Sequence, residues 1–179
     1  KVAASGDTVV VGARCESSAA TGVNGNQADN SASSAGAAYV FVRSNGAWSQ
    51  QQKLTASDGA AGDEFGFSVG ISGDTAVASA PGNSSQTGAA YVFVRTGLAW
   101  NEGAKLTASD ETGGGEFGWS VALSADGNTA LIGGPYDNSN KGAAWVFTRS
   151  GSTWNQQGGK LTGGGESGDG FFGFSVALD

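Results

Sequence analysis

Histidine is absent from this chain, and with it go the commonest general base and the commonest zinc ligand. Only 14% of the residues are charged and the net charge is −7, so there is no basic face to meet the phosphates of a nucleic acid. Proline occurs twice and cysteine once. The lone Cys15 has no internal partner: in a secreted protein such a thiol pairs with another chain or with a missing part of its own, or it stays inert in a loop. No run of about 18 apolar residues is present to span a membrane. No stretch keeps helical apolar spacing for three turns either. There is no signal peptide; Lys1 opens in the middle of a repeated strand, so the start reads as a processed or truncated end, and the missing leader says nothing about secretion. What the chain does have is 32 glycines in 179 residues, which describes short strands joined by tight turns and enough length for a sizeable core.

Those strands recur. FGWSVALSADGNTALIGGP, Phe117 to Pro135, is followed by GAAWVFTRS, Gly142 to Ser150, and the same text stands earlier as FGFSVGISGDTAVASAP, Phe65 to Pro81, then GAAYVFVRT, Gly88 to Thr96. Two partial copies flank them: VAASGDTVVVGA, Val2 to Ala13, leading to GAAYVFVRS, Gly36 to Ser44, and a final FGFSVALD, Phe172 to Asp179. Each unit closes on a Trp and a Lys-Leu-Thr, and the steps from Trp48 to Trp100 and on to Trp154 are 52 and 54 residues, the period of a propeller blade.

Each unit is expected to hold four strands. In FGWSVALS, Phe117, Trp119, Val121 and Leu123 alternate with small residues; Ala125 to Asn128 makes a hairpin, TALIGGP is a second strand stopped by Pro135, AAWVFTR a third, and Trp154 to Thr162 a fourth. Four consecutive strands on short connections form an antiparallel meander, one propeller blade. Tyr39, Tyr91 and Trp145, then Phe41, Phe93 and Phe147, then Trp48, Trp100 and Trp154 occupy repeated places, as rings do that fill the space between blades. Arg43, Arg95 and Arg149, with Lys53, Lys105 and Lys160, recur as partners for repeat carboxylates.

The combination of FGxSV, a short hairpin, a strand ending in GGP (Gly133 to Pro135) or SAP (Ser79 to Pro81), and GAAYVF resembles the FG-GAP repeat, the blade unit of the integrin alpha-chain propeller. The resemblance covers essentially the whole chain. It implies an all-β fold of β-propeller blades, usually seven to a ring, extracellular or on the cell surface, and used for adhesion or recognition. Many such repeats also carry an acidic calcium loop between first and second strands, but here that connection offers only Asp7, Asp74 or Asp126, where calcium needs six to eight oxygens. No cofactor is therefore expected, calcium being disfavoured.

The chain holds three units, with approximate blades at 1–55, 65–107 and 117–162 and the first strand of a further blade at 172–179. Closed propellers need about four to eight blades, so the expected partners include further blades of the same protein or other copies of the chain.

Several motifs have plainer readings. Gly113 to Gly118 and Gly163 to Gly168 match G-x-G-x-x-G but lead toward strands rather than opening a helix, which argues against a nucleotide site. Asn83-Ser84-Ser85 is a glycosylation pattern in a loop. The paired acids Asp63-Glu64 and Asp110-Glu111 read as turn residues rather than a glycosidase pair. Half of the sixteen carboxylates, Asp58, Asp63, Glu64, Asp110, Glu111, Glu116, Glu166 and Asp169, nevertheless fall in the loops from fourth strand to next first strand, 56–64, 108–116 and 163–171. In an up-and-down blade these share one end with the loops 14–35, 82–87 and 135–141, giving an acidic face suited to binding. The expected function is a non-catalytic extracellular binding, adhesion or structural module that meets a protein, a glycan or a surface there. The alternatives are an accessory segment of a secreted hydrolase, or a repeat subunit of a self-assembling fibre.

Overall fold

The computed structural model describes residues 1–19, 26, 28–166 and 168–179. It forms three four-stranded antiparallel sheets, each a meander in chain order. The first holds β1 (Val2–Ser5), β2 (Thr8–Ala13), β3 (Ala37–Ser44) and β4 (Ala47–Leu54). The second holds β5 (Val69–Ser72), β6 (Thr75–Ala80), β7 (Ala89–Thr96) and β8 (Ala99–Leu106). The third holds β9 (Ser120–Leu123), β10 (Thr129–Gly134), β11 (Ala143–Ser150) and β12 (Thr153–Gln156). Among the described residues helix is confined to two four-residue turns, α1 (Asn83–Gln86) and α2 (Asp137–Asn140). These are three propeller blades, with the short strands β1, β5 and β9 lying side by side.

The period of two along each strand divides the side chains between two cores. Ala89, Tyr91 and Phe93 of β7 face the first blade, where they join Val10, Val40, Leu54, Phe65 and Trp100. Ala90 and Val92 of the same strand face the third blade, with Phe117, Ile132, Trp145 and Phe147. Phe65 stands edge-on to Tyr91 at 5.6 Å between centroids and to Phe93 at 6.0 Å, and Phe117 repeats this with Trp145 at 5.3 Å and Phe147 at 5.8 Å. Each such ring buries about 150–250 Å², worth roughly 4–6 kcal/mol against full exposure.

The two named ends of the repeat meet across the blade boundary. Gly36, Gly88 and Gly142 bridge in parallel to Phe65, Phe117 and Phe172 of the following unit. At Gly88, φ is 88°, and a Cβ would run into the backbone of Phe117, so only glycine lets the chains approach this closely. The FG of one unit is therefore held by the GA of the unit before it.

Four expectations need correction. The first strand of the third blade starts at Ser120, because Phe117 is spent on the bridge to Gly88 and Gly118 turns at φ 102°. Its fourth strand stops at Gln156, since Gly158 turns at φ 71° before Leu161 rejoins Ala144 through a single bridge. Residues 172–179 form no strand; Phe172 alone makes the bridge of a next blade. Trp48 is not a core ring: it is 48% exposed where Trp100 is 0%, because each such Trp packs on the blade before its own.

The recurring cations lock the repeats. Arg43 and Arg95 pair with Asp7 and Asp74 of their own hairpins at 2.7 and 2.6 Å, while Arg149 meets the amide of Asn128 at 2.8 Å. Arg95 and Arg149 also reach back to Thr8 and Thr75 of the preceding blade, each at 3.2 Å. In the third hairpin Asp126 accepts from Ser124 and from the backbone of Asn128. The hairpin carboxylates are thus committed to arginine and to turn hydrogen bonds.

Candidate functional site

One end of the array carries both sets of long loops, tied together by their backbones. Gly62 and Glu64 donate to the carbonyls of Ser33 and Ser34, Glu116 donates to that of Gln86, Asn138 to that of Thr112, and Phe171 to that of Asn140. To make these bonds Ser34, Glu64, Gln86, Glu116, Asn140 and Phe171 all adopt positive φ. Backbone strain of this kind persists only where surrounding contacts impose it. Of loop 14–35, residues 20–25 and 27 lie outside the described residues, as does Ser167 within Gly163 to Gly168. Gly113 to Gly118 leads into β9 and opens no helix.

The eight acids assigned to this end do not act alike. Asp58 accepts from Lys105 at 2.7 Å and from the Tyr91 hydroxyl at 2.7 Å; burial alone would raise its pKa, but these two donors outweigh it and hold the carboxyl below its ordinary value. Burial, and then the Asp58 carboxylate, push the Tyr91 phenol up. Asp110 takes the same place one blade on, accepting from the Trp145 indole at 2.7 Å, from Gln156 and from the Lys160 backbone, and it too is lowered against its burial. Asp63 is only 5% exposed and receives the Ala60 N–H and the Asn83 amide, so it faces the protein and not a partner. Glu111 folds back on the Gly115 N–H. Glu166 lies against Gly163, and Asp169 accepts from Asn140 at 3.3 Å.

The glycosylation candidate Asn83 is turned inward in this fold. Its amide is buried, donating to Asp63 at 2.8 Å and accepting from Lys105 at 3.0 Å, so a sugar on that nitrogen would have to displace these contacts. Asn83 shares a role with Glu16 and Asp137: the three carbonyls accept the Gly88, Gly36 and Gly142 N–H groups, and their side chains receive Lys105, Lys53 and Lys160. Cys15 is exposed.

Two acids remain turned to a cleft. Glu64 pairs with Arg14 at 3.2 Å, and that guanidinium also sits 5.1 Å over the Phe67 ring. The Glu116 carboxylate has no donor among the described residues; burial, and then the charge of Glu64, push its pKa up. Beside them runs a band of rings: Phe67 lies 4.6 Å from Trp119, and Trp119 lies 5.4 Å from both Tyr136 and Phe174. Three clefts open along this band. One of ≈ 520 Å³ and one of ≈ 380 Å³ share Arg14, Phe67 and Trp119, and a third of ≈ 310 Å³ joins the second at Gln86, Glu116 and Tyr136.

Of the acids read from the sequence only Glu64 and Glu116 reach this groove, and its rings were missed. The signal was present in FGxSV, where the x position is Phe67, Trp119 and Phe174: a large ring in a place that the blade core does not use.

The repeat geometry agrees with a family comparison. The model of the FG-GAP repeat matches residues 48–93 and 100–147, more than half of the chain. The chain belongs to the FG-GAP repeat family. Each match runs from the fourth strand of one blade to the third strand of the next, so the FG-GAP unit is staggered against the blade and spans its joint. Comparison with curated proteins returned no match. Among solved structures, the crystal structure of the tricorn protease is similar at 12% identity and a TM-score of 0.39, over 87% of this chain and 12% of that one. The chain thus spans about an eighth of that protein's length, and the likeness carries no functional argument. No helix among the described residues is long and apolar enough to cross a membrane.

Proposed function

We propose that this FG-GAP array is a non-catalytic recognition module of an extracellular or cell-surface protein, and that it meets its partner through the loop face. The observation that supports this reading is the run of three connected clefts along the loop face, lined by side chains that neither blade core uses. Loops held by a rigid scaffold are where recognition resides. The outer faces of the first and third blades meet further blades of the same protein or of another copy, as the exposed Val2 (66%), Trp48 and Phe174 (55%) suggest.

The test is adherence of the labelled chain to intact cells and extracellular material of the organism that makes it. A Trp119→Ala, Asn138→Gly double variant with a preserved melting transition is expected to lose adherence. Unchanged adherence refutes the loop-face reading. Turnover of ester, glycoside or peptide substrates by the purified chain refutes the non-catalytic one.

A further inference from the structure

Resting on that reading, we propose that the ligand of the loop face is a neutral polysaccharide chain, laid along the band from Phe67 through Trp119 to Tyr136. Shape is the first argument. The clefts of ≈ 520, 380 and 310 Å³ are joined end to end by shared walls, which suits an extended ligand with repeated units rather than one compact molecule.

Chemistry is the second. A sugar ring offers apolar C–H faces that stack on aromatic rings and an equator of hydroxyls that both donate and accept. The groove supplies both complements: the rings of Phe67, Trp119 and Tyr136, and beside them the acceptor-only carboxylates of Glu64 and Glu116 with the two-way amides of Gln86 and Asn138. The core of a protein–protein interface is depleted of charge. Here two carboxylates stand at the centre, and the one on Glu116 has no donor from the described residues.

Charge decides which glycan. Arg14 and Lys1 line the ≈ 520 Å³ cleft, but Arg14 is paired with Glu64 at 3.2 Å and Glu116 is the charged residue that lines the cleft toward Tyr136 and Asn138, so no row of cations runs along the band. The chain as a whole carries −7. A uronic-acid or sulfated polymer finds no row of cations to hold it and is opposed by the net charge. The site is also ordered in advance: Glu64, Gln86, Glu116 and Asn138 sit at positive φ, and cross-loop backbone bonds hold them there, so little ordering is lost on binding.

The experiment is calorimetric titration of the full 179-residue chain with cellohexaose, xylohexaose, mannohexaose and chitohexaose, and with hexagalacturonate and a heparin hexasaccharide as acidic counterparts. At least one neutral hexasaccharide is expected to bind, and Trp119→Ala to weaken it tenfold or more. Because Trp119 packs on Phe67 and Phe174, a second variant guards against misfolding: Asn138→Gly removes the amide while glycine tolerates the φ of 51°, and a threefold or greater weakening is expected. Absence of binding by all four neutral probes, binding of the acidic ones at equal strength, or binding unaffected by both variants overturns the proposal. If adherence to surface material depends on Trp119 while no neutral hexasaccharide binds, the glycan assignment falls and the recognition reading stands. If adherence does not depend on the loop face, both fall.

Discussion

Replacing Gln52 should loosen the joint between the first two blades more than any change of similar size on the surface. Gln52 belongs to β4 and is 2% exposed, and its amide clasps the edge of β8 in the next blade: it accepts the Trp100 N–H at 2.8 Å and donates to the Trp100 carbonyl at 2.7 Å. An edge strand leaves such groups unpaired, and here a side chain of the neighbouring sheet satisfies both. Gln52→Ala strands a donor and an acceptor on a residue that is fully buried. At about 1–3 kcal/mol for each orphaned group, less what water recovers at the sheet edge, the loss is about 2–4 kcal/mol. For a chain of this size that corresponds to a fall in Tm of about 5–15 °C.

The comparator is Gln51→Ala, which removes only the acceptor for the Trp100 indole at 3.0 Å and should cost about 1 kcal/mol. Thermal unfolding followed by tryptophan fluorescence and near-UV circular dichroism reads both variants. A Gln52→Ala protein that melts within about 2 °C of the parent, or no lower than Gln51→Ala, refutes the argument that this amide closes the blade edge.

Other outcomes follow from the same geometry. The folded pKa of Glu116 is raised, by burial first and Glu64 second, so ionising it opposes folding as pH rises through its unfolded value of about 4.3; Glu116→Gln should therefore melt higher than the parent at pH 7 and level with it at pH 3, measured by the same unfolding curves. Asp110 is lowered, so its contribution is complete above an unfolded pKa of about 3.9 and is lost as pH falls through the lower folded value; Asp110→Asn should melt a few degrees low at pH 7, with the difference closing below pH 4. Melting with and without EDTA should coincide, because Asp7 and Asp74 are paired with arginines; a loss of about ten degrees in EDTA would point to calcium held elsewhere. Sedimentation of the isolated chain at micromolar concentration should show self-association, since an uncovered blade face of several hundred Å² forgoes on the order of 10 kcal/mol; a stable monomer refutes this.

The scaffold was legible because repetition marks what packing dictates. Tyr91 and Trp145 could be placed in the core from sequence, as could the pairing of Arg43 and Arg95 with carboxylates, since each recurs at a fixed place and answers a fixed need. The staggered joint was harder to see. Nothing in FG or GA taken alone says that Phe65 bridges Gly36 of the blade before it, because the two segments belong to different sheets and the bond between them is a backbone one.

The acids misled for the opposite reason. Their clustering in the interblade loops suggested a solvent-facing surface, yet Asp58 and Asp110 reach forward to Tyr91 and Trp145 of the next blade, and Asp63 is buried beneath Asn83. Asp137 is fully buried and accepts from Lys160, and no spacing rule distinguishes it from an exposed turn residue. The groove emerges by subtraction. Once every ring and charge that serves a joint is assigned to it, what is left at the loop face is Phe67, Trp119, Tyr136, Arg14, Glu64 and Glu116, which no blade contact accounts for in full. The FGxSV motif conceals this because its x position is aromatic in all three copies, and so reads as core. In a blade whose Phe65 and Phe117 already fill the core, a second ring two residues on must stand on the opposite side of a turning backbone, and there it meets solvent and whatever the solvent brings.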